Sequence, residues 1–171
     1  MRPFVVNVAD LVNRPGARRR ERVEARLTGP AVTVVDATLR TDVPVAVDTL
    51  LEWVSDGLLA TGTVDGAWDG VCRRCLGPAG GELHVDFQEL FESHPRDGES
   101  YRLGHDQIDL EPLAREALTL DLPLAPLHSP DCRGLCPTCG ADLNLGDCDC
   151  VPAVPDARWA ALDVLRPTPP E

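Results

Sequence analysis

The sequence predicts an α+β fold: an antiparallel β-sheet meander with flanking helices, followed by a small cysteine-rich segment near the C-terminus. Three observations carry that prediction. Between Arg22 and Phe91, apolar and polar residues alternate in runs separated by turn signals. From Ile108 a helical period replaces the alternation, and prolines end it. Beyond that, five of the seven cysteines lie between Cys132 and Cys150.

At the N-terminus, Val5, Val8 and Val12 are spaced near the helical repeat, which suits a short helix or an extended arm. Arg14-Pro15-Gly16-Ala17-Arg18-Arg19-Arg20-Glu21-Arg22 reads as a basic linker broken at Pro-Gly. Residues 1–22 are therefore expected to form an arm and linker. A short arginine run on a flexible segment is also a way for a protein to touch phosphate. Arg18, Arg19, Arg20 and Arg22 are accordingly candidate RNA contacts.

Residues 23–127 are expected to form the body. Val23, Ala25 and Leu27 alternate with polar neighbours, and Val43, Val45 and Val47 lead into Leu50-Leu51-Glu52-Trp53-Val54. Ser55-Asp56-Gly57 is a hairpin turn signal. A strand follows through Leu58 to Val64, with a break expected at Asp65-Gly66. Ala67-Trp68-Asp69-Gly70-Val71 runs into Cys72, and Gly77-Pro78-Ala79-Gly80-Gly81 reads as a second interruption. Leu83, Val85 and Phe87 then share one face of a strand with one buried side. Strands joined by short turns favour antiparallel neighbours. His94 to Asp106 reads as a polar loop. Asp109 is the expected N-cap of a helix, Pro112 suits its first turn, and Leu113, Glu116, Ala117 and Leu120 follow its period. Residues 128–150 form the cysteine-rich segment. In 151–171, Trp159, Leu162 and Leu165 mark a short amphipathic tail helix, and residues 166–171 are expected to be disordered.

Composition narrows the functional classes. The hydrophobic share of 43 % is ordinary for a globular protein, and no run approaches the roughly 20 apolar residues that span a bilayer. The first residues are too interrupted for a signal peptide, so a cytoplasmic location without membrane association is expected. In that reducing compartment, clustered cysteines read as metal ligands before disulfides. The net charge of −12 and pI near 4.6 disfavour non-specific nucleic-acid binding and suit a basic protein partner. All 16 basic side chains counted as Lys or Arg are arginine.

Zinc takes four thiolate or imidazole ligands in a tetrahedron. Cys136-Pro137-Thr138-Cys139-Gly140 has the form of a tight knuckle whose amides point at the sulfurs. Cys148 and Cys150 follow after a turn at Asn144-Leu145-Gly146, so Cys136, Cys139, Cys148 and Cys150 form a first expected Zn2+ site. Cys72-Arg73-Arg74-Cys75 is a second knuckle by spacing, and with His128 and Cys132 it forms a second set. A different partition, with Cys132 on the first ion and Cys148 or Cys150 left over, competes with it. Arg73 and Arg74 are placed to soften thiolate charge and are also candidate RNA contacts. A metal held entirely by protein ligands has a structural pattern and not a catalytic one. His84, His94 and His105 show no spacing with a nucleophile, and neither a phosphate loop nor a nucleophile elbow occurs. The chain is thus expected to have no enzymatic activity and no small-molecule substrate. An oxidoreductase using Cys72 and Cys75 would need an exposed thiolate of low pKa.

Cys72-Arg73-Arg74-Cys75-Leu76, Leu122 to His128 with Asp131 to Pro137, Leu143-Asn144 and Cys148-Asp149-Cys150 together resemble the YceD family. Its members are called large ribosomal RNA subunit accumulation proteins. The resemblance implies a bacterial cytoplasmic factor that supports 23S rRNA levels and large-subunit assembly. Family members often carry cysteine where this chain has His128, which favours His128 as a ligand. The implied partner is a large-subunit precursor, through 23S rRNA or through a basic ribosomal protein. A zinc-ribbon module acting in transcription or another protein contact is the alternative.

Overall fold

The computed structural model describes residues 2–55, 57–95, 98–151, 158–159 and 162. Over these residues the chain forms nine strands and one helix: β1 Val5–Asn7, β2 Arg18–Ala25, β3 Thr33–Val34, β4 Ala37–Leu39, β5 Val45–Val54, β6 Gly57–Val71, β7 Pro78–Glu92, β8 Tyr101–Arg102, β9 Gln107–Asp109 and α1 Glu111–Leu120. The main sheet runs β2-β5-β6-β4-β3, with β7 along the other side of β6 and β8 beside β7. All of its pairings are antiparallel except the short β7–β8 contact. The expected antiparallel sheet is present, a meander over β5-β6-β7, and one helix stands among the described residues where flanking helices were expected.

Strict alternation sets the orientation of β5. Val45, Val47, Thr49, Leu51 and Trp53 are buried, whereas Ala46, Asp48, Leu50, Glu52 and Val54 lie on the opposite face. A one-residue slip would exchange the two sets, so the pattern pins the register as well as the face. On the inner side, Leu58, Ala60, Val64 and Trp68 of β6 meet Leu83, Phe87 and Phe91 of β7, and α1 covers them with Leu113, Ala114 and Leu118.

The N-terminal residues depart from the expected arm and linker. Phe4, Val6, Val8 and Leu11 are buried in the core, and β1 pairs with β9 through Val5↔Asp109 and Asn7↔Gln107. Arg18 to Ala25 is a full edge strand registered against β5. Pairing with β5 holds this charged run in an extended conformation, which its composition alone does not favour. Two further expectations change for steric reasons. Gly66 does not break β6: a Cβ there would sit 2.8 Å from Leu118 Cδ1, so the glycine makes room for the helix. Gly80 and Gly81 pair with Asp69 and Trp68 inside the ladder, and a Cβ on Gly81 would lie 3.1 Å from the Trp68 ring nitrogen. The bare backbone lets that indole lie flat against the sheet.

The loop expected over 94–106 contains β8, where Tyr101 stacks against Phe91 with ring centroids 5.4 Å apart. The N-cap of α1 is Leu110, not Asp109, although the Asp109 carboxylate still accepts the Glu111 N–H at 3.0 Å. Leu120 is exposed, because the inward face of the helix is the one carrying Leu113, Ala114 and Leu118, and Leu118 in the last turn packs onto the backbone at Gly66. The expected tail helix and disordered end lie almost wholly outside the described residues, and the described Trp159 and Leu162 are exposed.

Gly62 offers a test of this close packing. A Cβ there would stand 1.9 Å from the Asp48 carbonyl oxygen, a backbone atom that cannot turn aside. Gly62→Ala is expected to destabilise the protein by about 1–3 kcal/mol or more. Gly66→Ala, which meets the side-chain end of Leu118 and no backbone atom, should cost less. Chemical denaturation of both variants orders the two losses.

Candidate functional site

The β6–β7 hairpin ends in a knuckle and not in a simple turn. Val71 pairs with Pro78, and the Cys72 N–H extends the ladder to the Gly77 carbonyl at 2.8 Å. Inside that closure the Leu76 N–H returns to the Cys72 carbonyl at 2.8 Å, with Leu76 at φ 59°. The same construction recurs downstream. Cys136 N–H donates to the Ala141 carbonyl at 2.8 Å, Gly140 N–H donates to the Cys136 carbonyl at 2.9 Å, and Gly140 has φ 75°. Two segments with different residues thus share one backbone form, set by the Cys-x-x-Cys spacing and a left-handed residue after it. Leucine in that conformation costs roughly 1–2 kcal/mol more than glycine, so the first knuckle is held by its surroundings.

Those surroundings are the other half of the set. Arg74 Nη1 donates to the carbonyls of Pro130 at 3.1 Å and Cys132 at 2.9 Å. The Arg73 N–H donates to the Pro126 carbonyl at 3.0 Å, and the Leu135 N–H to the Arg74 carbonyl at 3.1 Å. These bonds bring Cys72, Cys75, His128 and Cys132 together, with all their ligand atoms within 4.8 Å of one another. Cys136, Cys139, Cys148 and Cys150 form a second group within the same limit. The pairing is thus the one expected from spacing, and the competing partition is not seen. Throughout the following, the first centre is the group containing Cys72 and the second is the group containing Cys136.

The distances fit metal coordination. Tetrahedral thiolates on an ion at about 2.3 Å stand about 3.8 Å apart. Cys72 and Cys132 Sγ are 3.7 Å apart, too far for a disulfide, and Cys75 Sγ is 3.3 Å from His128 Nδ1. The donor sets, three thiolates with an imidazole and four thiolates, suit a soft or borderline cation. Each group could hold one metal ion.

Local electrostatics prepare the sulfurs. Burial works to raise the Cys72 thiol, but amides of the knuckle and the His128 side bring it down to about 5. Amides of Cys139 and Thr138 bring Cys136 down to about 6, and Thr138 N–H lies 3.4 Å from its sulfur. Neighbouring thiols hold Cys150 up at about 12. Cys72 and Cys136 are thus lowered while Cys75, Cys148 and Cys150 are raised, the pattern of like charges crowded into one small volume. A bound cation removes that conflict.

The expected arginine contacts separate into distinct roles. Arg19 turns inward: it donates to Asp10, its Nη2 donates to the Asn7 carbonyl at 2.6 Å, and its Nε lies 2.7 Å from Glu21. It therefore fastens the N-terminal turn to the sheet edge. Arg18, Arg20 and Arg22 line the outer face of β2, where Arg18 faces Glu52 at 3.4 Å and Arg22 faces Asp48 at 3.7 Å. Arg20 has no ion-pair partner among the described residues. Arg73 and Arg74 lie past the far end of β6, eight or more residues from Thr63, which is level with Arg22. At about 3.3 Å per residue the two arginine groups stand roughly 26 Å apart along the sheet, and no single basic patch joins them. The remaining histidines, His84, His94 and His105, are exposed, and Asp65 beside His84 raises its imidazole pKa.

Asn144 was legible only as part of a turn. In the structure its Nδ2 donates to Cys132 Sγ at 3.5 Å, which makes it an outer partner of the first centre. The local signal is its place in Asp142-Leu143-Asn144, where short polar side chains bond nearby backbone.

The family model described as "Large ribosomal RNA subunit accumulation protein YceD" matches residues 60–166, from β6 through both cysteine groups. The chain belongs to the YceD family. Similar proteins occur in Mycobacterium tuberculosis and Mycobacterium bovis, each 36 % identical over 177 residues, covering 96 % of this chain and 83 % of the relative. A Mycobacterium leprae protein is 31 % identical over 185 residues, covering 99 % of this chain and 81 % of its own length. All three are described as uncharacterized proteins. No solved structure matches. The family's description ties it to large-subunit ribosomal RNA accumulation. No helix among the described residues of this chain is long and apolar enough to cross a membrane.

Two outcomes follow from the geometry. Arg19→Ala should cost about 1–3 kcal/mol of stability through the lost bonds to Asp10 and Asn7, while Arg20→Ala should stay within about 0.5 kcal/mol. Thermal melts of the two variants provide the comparison. In the metal-loaded protein, all four cysteines of the second group and Cys72, Cys75 and Cys132 should resist alkylation, and chelation should expose them. Rapid labelling confined to Cys72 and Cys75 before chelation would instead indicate a redox pair.

Proposed function

We propose that this YceD-family protein is a non-enzymatic factor supporting 23S rRNA accumulation and assembly of the large ribosomal subunit, and that both cysteine groups hold structural Zn2+. The family match over residues 60–166 carries the first part. The donor chemistry supports zinc: four protein ligands in each group, with sulfur dominant, suit a closed tetrahedral site. Such a site leaves no coordination position for substrate or activated water, which supports a structural and not a catalytic role.

The direct partner is a basic ribosomal protein of the large subunit. Surface charge supports this over direct rRNA contact. The chain carries a net charge of −12. Of the six arginines that could meet phosphate, Arg19 and Arg74 hold the fold together, and Arg18 and Arg22 face carboxylates. The outer face of the sheet adds Asp65, Glu82 and Asp86 beside them. To a basic ribosomal protein, an acidic sheet offers complementary potential with a salt-dependent association rate.

Depletion of the protein is expected to lower the ratio of 23S to 16S rRNA and to produce abnormal large-subunit particles in sedimentation profiles. An unchanged ratio removes the assembly role. Combined replacement of Arg18, Arg20 and Arg22 by alanine should leave association with large-subunit precursors intact. Loss of that association in a folded variant would transfer the contact to RNA along β2.

A further inference from the structure

By position in the chain, Asn144 belongs to the second centre, because it lies in the loop between Cys139 and Cys148. Its side chain nevertheless serves the first. Nδ2 donates to Cys132 Sγ at 3.5 Å and to Asp142 Oδ1 at 2.6 Å, while Oδ1 accepts the Arg133 N–H at 2.8 Å. The Arg133 N–H requires an acceptor opposite it, and this determines which end of the amide faces the sulfur. The Asn144 N–H donates to Asp142 Oδ1 at 2.9 Å, so the side chain is restrained from both ends.

The backbone ties the two centres more closely still. Cys132 of the first and Cys136 of the second are four residues apart on one segment. The loop that carries Asn144 is fastened to that segment by Leu143 N–H to the Gly134 carbonyl at 2.9 Å and by Cys136 N–H to the Ala141 carbonyl at 2.8 Å. Gly134, at φ 74°, packs against the first knuckle, and a Cβ there would lie 3.0 Å from the Arg74 carbonyl oxygen. One rigid segment is thus shared, with the first knuckle on one side and the second centre's loop on the other.

We infer that the two centres load metal cooperatively and that Asn144 is the positioning residue that couples them. The inference rests on the reading of both groups as zinc centres. A neutral amide donating to a thiolate withdraws charge from the sulfur without competing for the ion, and outer partners of this kind change metal affinity by about 10–100-fold. The donor reaches Cys132 only while the loop between Cys139 and Cys148 is folded. That loop has almost no apolar burial: Ala141, Asn144, Leu145, Gly146 and Asp147 are all exposed. Binding at the second centre is therefore what orders the loop, and ordering the loop delivers the amide to the first. Linkage makes the effect reciprocal.

The test uses the full chain, with Zn2+ competed against a chelator at each centre and Co2+ absorption reporting how many thiolates ligate. Replacing Cys148 and Cys150 by alanine disables the second centre, and the zinc affinity of the first should fall by about 10-fold or more. Asn144→Ala in the otherwise intact chain should lower it by a similar factor, and the two changes together should add little beyond either alone. A purely local structural role for Asn144 would weaken the second centre whatever the state of the first. With Cys75→Ala disabling the first centre, Asn144→Ala is expected to leave the second centre's affinity unchanged. Additive losses, or an unchanged first-centre affinity in Asn144→Ala, overturn the coupling. A wild-type chain that binds two ions independently overturns the coupling alone, and one that binds none overturns the zinc reading with it.

Discussion

The closure between the tip of the β6–β7 hairpin and the segment around Cys132 governs this architecture. Cys72 and Cys132 are 60 positions apart, and Cys75 and His128 are 53. Joining them encloses β7, β8, β9 and α1 in one loop, so the arrangement of half the body depends on that contact. Loop-closure entropy rises only slowly with length, and a cross-link over such a span removes substantial freedom from the unfolded chain. The hydrogen bonds from Arg74 to the Pro130 and Cys132 carbonyls prepare the closure but do not complete it. They leave three sulfurs and an imidazole crowded together, an arrangement that a cation makes favourable.

The bonds of Arg74 belong to a wider use of arginine in a protein without lysine. Phosphate binding calls for cations displayed together and desolvated at little expense. Here three side chains are committed elsewhere: Arg19 to the N-terminal turn, Arg74 to the segment around Cys132, and Arg115 to the Pro30 carbonyl at 3.0 Å beside the helix. Guanidinium suits this use because its planar fork bonds several carbonyls and carboxylates at once, which a lysine ammonium does with less directional order. Those three side chains are thereby turned toward the fold, and with 28 acidic against 16 basic residues the acidic ones dominate the surface charge.

The β-sheet illustrates how local pattern and global packing divide the work. Alternation in Val45 to Val54 and in Leu83 to Phe87 was legible because a half-buried strand leaves a period of two in the sequence. Glycines misled in the same region. Gly66 and Gly81 carry the composition of breaks, yet they sit inside long strands because Leu118 and Trp68 occupy the space a Cβ would fill. The helix showed the complementary difficulty: its existence was legible from Pro112 and the apolar period, but which apolar residues faced inward was set by the sheet beneath it. The small β3 and β4 strands passed unnoticed, since runs of two or three residues carry no period.

By itself, the sequence determined the presence of two knuckles and the strand pattern of the body, and it offered two partitions of the cysteines between which the fold chose. These depend on spacing and on chemistry carried by single residues: both Cys-x-x-Cys pairs of this chain close the same backbone turn. Tertiary structure alone decided that the arginine run is an edge strand, that Arg19 and Arg74 are fasteners, and that Asn144 reaches a sulfur in the neighbouring group. Those facts depend on which elements lie side by side after folding. A charged run such as Arg18 to Arg22 has no conformation of its own strong enough to declare, and its partner β5 supplies it.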